Sequence, residues 1–171
     1  IDTNNLEVKN LYVDFRIPQL PIGNRFQLGG IPANVTPLHP YLLYTIDAGA
    51  YDIVVNGDHL LSWGVEPSDI QDAALRNLAA WSATAPWTDE VSGDRRLISS
   101  DTGHGWDAAR IMLPEVVAHL VAELGSVGRI LIGLPERHLM TAGSLRPGDD
   151  DLATLFAEFI VEHSGGADEP I

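Results

Sequence analysis

A chain of 171 residues, 45% hydrophobic and 20% charged, has the apolar content for one compact domain and too little length for two comfortable ones. Its 24 acidic against 10 basic side chains leave a formal net charge of −14, which repels phosphate backbones and argues against a nucleic-acid binder. The absence of cysteine removes thiolate zinc sites, iron–sulfur ligation and cysteine nucleophiles and fits a reducing compartment, and no apolar run approaches the ~18 residues of a membrane span.

The chain opens on Ile1 rather than Met, which leaves room for a preceding segment, and no basic start followed by an apolar stretch marks a secretory signal. Leu6, Val8, Leu11, Val13 and Phe15 alternate with one slip near Asn10, the pattern of a strand carrying a bulge. Residues 18–40 hold five prolines and three glycines and read as an extended arm. The organisation is therefore a strand and arm over residues 1–36, joined as one compact unit to a domain over 37–171. Tyr41 to Ile46 is aromatic and β-branched enough for a buried strand, Asp47-Ala-Gly49 supplies a turn, and Tyr51 to Val55 returns as the second strand of a hairpin.

Asn56 or Asp58 caps a short helix through Leu60, Leu61 and Trp63, stopped by Gly64. Ser68 with Gln71 forms a capping box for a longer helix whose Ile70, Ala74, Leu78 and Trp81 recur on one face, with Asn77 at the margin of that stripe. A loop with Pro86, Trp87 and Asp94-Arg95-Arg96 leads to a short strand at Leu97-Ile98, and Ser99 to Gly105 forms a polar loop. Asp107 is the natural N-cap of a long apolar helix buried through Val116, Val117, Leu120, Val121 and Leu124, with Pro114 either kinking it or starting it afresh. Residues 129–132 and 139–142 pair around a turn at Pro135. The last helix follows Pro147-Gly148 and three aspartates, lines one face with Leu152, Leu155, Phe156, Phe159 and Ile160, and closes at Gly165-Gly166. The order β, ββ, α, β, α, ββ, α predicts an α+β fold, a mixed and largely antiparallel sheet with about three packed helices.

Five segments carry a resemblance: Tyr41-Leu-Leu-Tyr-Thr-Ile-Asp47, Leu60-Leu-Ser-Trp-Gly-Val65, Ala74-Leu-Arg-Asn-Leu78, Gly105-Trp-Asp-Ala-Ala-Arg-Ile-Met-Leu-Pro114 and Ile130-Leu-Ile-Gly-Leu-Pro-Glu-Arg137. In order and spacing, over residues 37 to 165, the chain resembles the YtpQ-like bacterial proteins, which carry a domain of unknown function. The resemblance implies an α+β fold, a cytoplasmic bacterial setting and a further strand beyond Ile171. It brings no catalytic residue with it.

Candidate chemistry centres on one loop. Asp101-Thr102-Gly103 matches the loop of aspartic proteases, but that chemistry needs two carboxylates sharing a proton and the chain has one copy. Asp101, His104 and Asp107 together can bind a divalent metal or perform acid–base chemistry, against the simpler reading of a turn followed by a helix cap. Glu136 and His138 sit in the turn between two strands and are candidates for ligand contact. Glu115, His119 and Glu123 share a helix face that reads as solvated. Asp149, Asp150 and Asp151 lack the alternating spacing of a calcium loop and are explained by the helix dipole. Asn34-Val35-Thr36 matches a glycosylation acceptor by composition alone. Nucleophile-elbow, phosphate-loop and dinucleotide fingerprints are missing from the sequence.

The reading that follows is a non-catalytic protein-binding or regulatory domain, acting through the arm at 18–40 and the acidic surface. The alternative is a small-molecule enzyme or metal-binding protein built on Asp101, His104 and Asp107, which a cleft joining that loop to Glu136 or His138 would favour. An acidic mimic of nucleic acid needs carboxylates along one face, whereas here they spread through caps and loops. The expectation is a cytoplasmic protein with a protein partner, no nucleic acid, no membrane, no metal and no cofactor.

Overall fold

A computed structural model describes residues 11–16, 41–125 and 128–166. The slip at Asn10, the arm at 18–40 and the Asn34-Val35-Thr36 acceptor lie outside the described residues. Two antiparallel sheets and four α-helices make an α+β fold within those residues. No helix among them is long and apolar enough to cross a membrane.

The first sheet is a meander of β1 (Leu11–Arg16), β2 (Tyr41–Asp47) and β3 (Asp52–Val54). The expected hairpin is present, with Thr45 opposite Val54 and Asp47 opposite Asp52, and Asp47 accepts from the Gly49 amide at 2.7 Å inside the turn. Helix α1 (Gly57–Trp63) begins where Asn56 Oδ1 accepts from the amides of Asp58 and His59, both at 3.1 Å, and His59 Nδ1 accepts from the Asn56 amide in return. It ends at Gly64, whose φ of 64° is the left-handed conformation that a Cβ would strain.

Helix α2 (Pro67–Ser82) buries Ile70, Ala73, Ala74 and Leu78, and packs on β1. Its capping residues differ from the Ser68–Gln71 expectation. Pro67 occupies the first turn, where its missing amide costs nothing, and this moves the start two residues back, so that Asp69 Oδ2 accepts from the Glu66 amide at 3.0 Å.

The second sheet has the order β4-β5-β7-β6, from β4 (Thr88–Ser92), β5 (Arg95–Ser100), β6 (Arg129–Glu136) and β7 (Leu139–Leu145). One strand was not expected: β4, Thr-Asp-Glu-Val-Ser, is exposed at every position and has no apolar alternation to betray it. It forms an edge strand, joined to β5 through Gly93 at φ 64°. Pro135 was expected at the turn between the last two strands but lies buried inside β6, at the register shift between Gly133 and Glu136. A bulge is where a strand tolerates a residue without an amide hydrogen, and the turn itself falls at Arg137-His138.

The long helix expected from Asp107 is two pieces. A 3-10 helix spans Ala108–Met112, and Pro114 starts α3 (Pro114–Leu124) afresh. Val116, Leu120 and Leu124 are buried against the second sheet, whereas Val117 and Val121, expected in the same stripe, are exposed. The last helix, α4 (Asp150–Gly166), packs on β6. Register and alternation put it on the opposite sheet face from the core, because Met140 and Ala142 of β7 point into the main cluster while Gly133 and Gly143 meet α4. A single continuous cluster, from Tyr44 and Ile46 through Leu78 and Trp106 to Leu120 and Met140, joins both sheets. The 3-10 helix and the loop before it lie at the junction.

Candidate functional site

That loop, residues 101–107, leaves the end of β5 and turns at Gly103 and Gly105, both at positive φ. At Gly105 a Cβ would lie 2.9 Å from Cζ of Arg137, so the guanidinium of the β6–β7 turn rests directly on the loop backbone. The Ala108 amide donates to the Arg137 carbonyl at 3.2 Å, and Arg137 Nη1 reaches Asp52 Oδ2 of β3 at 2.8 Å. Arg137 Nε also donates to His138 Nε2 at 3.2 Å. The two candidate clusters are thus neighbours, brought together by Arg137. Glu136 and His138 are half-buried beside it.

Within the loop the three expected residues part company. Asp101 and His104 are exposed. Asp107 is fully buried and does not cap the following helix with its side chain. Its carboxylate turns back instead: Oδ1 accepts from Ser100 Oγ at 2.5 Å and from the Thr102 amide at 3.1 Å, and Oδ2 accepts from Thr102 Oγ1 at 2.9 Å. The reason lies one turn along, where Arg110, 1% exposed, needs a nearby anion. Ser100 Oγ links the two, accepting from Arg110 Nη1 at 2.6 Å while donating to Asp107.

The rest of the guanidinium is satisfied by α2 and the segment after it. Nε donates to Ser82 Oγ at 3.0 Å, Nη2 to the Ser82 carbonyl at 3.2 Å, and Nη1 to the Pro86 carbonyl at 3.4 Å. Its Cζ lies 3.7 Å from the ring centre of Trp87 and 5.7 Å from that of Trp81, so two aromatic faces add cation–π attraction. Burial lowers the Arg110 guanidinium to about 10, with the charge of Asp107 opposing the shift, and it stays protonated at neutral pH. His104 stacks on Trp106 at 5.7 Å and 12°, and Trp81 meets both rings edge-on.

Arg110, not among the candidates the sequence offers, is the residue around which the loop is organised. Its signal was an arginine three positions after Asp107 inside the apolar run Trp106 to Leu113, where a charge needs a partner on the same helical face.

These contacts limit what the loop can do. Asp107 gives both oxygens to internal donors, so releasing it to a metal or a substrate would leave Ser100 and Thr102 short of an acceptor and Arg110 without its nearby anion. Among the described residues no three His, Asp or Glu side chains are placed to hold a metal ion. Glu115 is exposed, His119 lies 5.2 Å from the Trp87 ring, and Glu123 pairs with Arg96 at 2.8 Å, so that helix face does not converge. Of the three aspartates at the start of α4, Asp149 accepts from the Arg146 amide at 3.2 Å and the other two, in the first turn, are exposed.

The surface follows the same economy of cations. Arg96 holds Asp89 at 2.6 Å as well as Glu123, Arg146 holds Asp94, Arg137 holds Asp52, and Arg110 is inside. The Arg96 hydrogen bond, together with its charge, lowers the Asp89 carboxyl below its ordinary value. Against these pairs the carboxylate excess dominates the exterior. Exposed apolar side chains punctuate it at Tyr51, Leu61, Val91 and along α4. No family model, curated protein or solved structure matches the chain.

Proposed function

We propose that this chain is a non-catalytic protein-binding or regulatory domain. The observation that carries the reading is α4: a helix of 17 residues with none buried, which leaves Leu155 57%, Phe159 39% and Val161 71% exposed. Apolar side chains gathered on one exposed element gain by being covered, and a protein surface is the usual cover. The alternative, an enzyme or metal-binding protein on Asp101, His104 and Asp107, draws less support because Asp107 is bonded inward while the other two face out. Membership of the YtpQ-like family and a cytoplasmic bacterial setting belong to the same proposal and rest on the order of the five segments given above.

The test is site-specific photo-cross-linking in the source cell. A photoreactive phenylalanine analogue replaces Leu155, Leu61 or Tyr51 in turn, and adducts are identified by mass spectrometry. A discrete protein adduct at one of these positions, missing when the analogue replaces the exposed Glu115, is the expected result. Absence of any adduct at all three apolar positions would remove the basis for a binding domain.

A further inference from the structure

Helix α4 is fastened by its inner face. A Cβ on Gly133 would lie 2.1 Å from Ile160 Cδ1 and 3.2 Å from Phe156 Cε1, so these two side chains press on a strand surface left bare by glycine. The outer face has no such partner among the described residues. Leu155 and Phe159 recur there at a spacing of four, and Glu158 and Glu162 recur beside them at the same spacing, with Asp151 one turn before Leu155. On the far side of the glutamates Ala153, Ala157 and Val161 leave an open, mostly apolar helix surface, bordered by Glu158 and Glu162.

Charge decides what fits this face. Helix α4 carries Asp150, Asp151, Glu158 and Glu162 and neither lysine nor arginine, on a chain of net charge −14. A second copy laid against it would bring carboxylates onto carboxylates, which costs energy at contact distance and slows encounter at long range. An anionic lipid surface is repelled for the same reason. A basic amphipathic helix satisfies both halves of the face: its apolar stripe covers Leu155 and Phe159, and its flanking lysines or arginines reach Glu158 and Glu162. We infer that the outer face of α4 is a docking site for a basic amphipathic helix of a partner protein. This rests on the protein-binding reading and names the site and the chemistry of the partner.

The probe is a fluorescent peptide of about 18 residues, long enough to hold a helix, with leucines at helical spacing and lysines elsewhere. Two further peptides are compared, one with glutamate in place of lysine and one of lysine and serine without the apolar stripe. Anisotropy titrations against the whole chain should show saturable binding of the leucine–lysine peptide only. Leu155→Ser with Phe159→Ser should weaken it at least about tenfold, as truncated anchors do at interface centres. Glu158→Lys with Glu162→Lys should weaken it comparably, and the attraction should fall as salt is raised.

Leu61→Ser controls for apolar loss elsewhere, and Glu90→Lys with Glu115→Lys gives the same charge change away from α4. Both should bind as the unaltered chain does. The charge variants alter only exposed positions, which keeps the test informative if the apolar variant folds poorly; circular dichroism checks each. The inference is overturned if the peptide does not bind, if all variants bind alike, or if the stripe-free lysine peptide binds equally, since the last two report only the net charge. Should the peptide fail while Leu155 or Leu61 still cross-links a protein in the cell, the basic-helix assignment falls and the protein-binding reading stands.

Discussion

Replacing Asp107 with alanine tests whether the junction between the two sheets depends on a buried charge network. The carboxylate is fully buried and accepts three hydrogen bonds, from Ser100 Oγ, the Thr102 amide and Thr102 Oγ1. Its removal strands those donors and leaves the Arg110 guanidinium, 1% exposed, without its nearby anion. Breaking a buried pair from one side typically costs about 3–5 kcal/mol, because the remaining charge is left in a medium that solvates it poorly. Against a domain stability of about 5–15 kcal/mol that is a large fraction. With a urea m-value of about 2 kcal/mol/M, a loss of about 4 kcal/mol lowers the midpoint by about 2 M.

The assay is urea unfolding followed by far-ultraviolet circular dichroism, since the tryptophans near the site would confound fluorescence. Three further variants complete it: Arg110→Met, the pair Asp107→Ala with Arg110→Met, and Asp101→Ala. The neutral pair should recover much of the loss, with a coupling of at least about 1 kcal/mol between the two positions. Asp101→Ala, at an exposed position, should stay within about 0.5 kcal/mol of the unaltered chain. A loss under about 1 kcal/mol for Asp107→Ala, or strict additivity of the two sites, would refute the reasoning.

Three other substitutions address separate elements. Asp89→Asn should flatten the acid limb of the stability profile: the folded carboxyl lies below its ordinary value of 3.8, so its contribution is present above that pH and is lost as pH falls through the lowered value. Thermal unfolding between neutral and strongly acid pH measures it, and an unchanged acid limb would contradict a stabilising Asp89–Arg96 pair. Gly133→Ala should destabilise by about 1–3 kcal/mol by overpacking against Ile160, and adding Ile160→Ala should restore part of that loss, as read by urea unfolding. Asn56→Ala should cost about 1 kcal/mol by the same measurement, because Oδ1 satisfies two free amides at the start of α1.

Local signals in the sequence were enough where one segment decides its own conformation. The β2–β3 hairpin, a cap at Asn56 or Asp58 that falls on Asn56, the Gly64 stop and the inner face of α2 all follow from residue types and spacings, since steric freedom, capping and periodicity act within a few residues. The second start at Pro114 was one of two readings the sequence left open, and the pyrrolidine ring fits the first turn better than a kink. The net charge of −14 argues against a phosphate-backbone partner by long-range repulsion, a signal that needs no fold to be read.

Where a residue's role depends on what lies across from it, only the tertiary structure decided. Strand β4 has no apolar pattern because its hydrogen-bond partner, β5, rather than burial makes it a strand. Pro135 reads as a turn until the bulge against β7 accommodates it. Val117 and Val121 match the helical stripe, yet α3 meets the sheet over too narrow an arc to cover them. Asp107 looks like a cap because its neighbours in sequence are a turn and a helix, but the buried guanidinium of Arg110, held by Ser82 and two tryptophans from another part of the chain, turns the carboxylate inward. The amphipathic pattern of α4 shows that it has an apolar face; how much of that face the sheet covers depends on the glycines of β6 and β7, and this sets what is left for a partner.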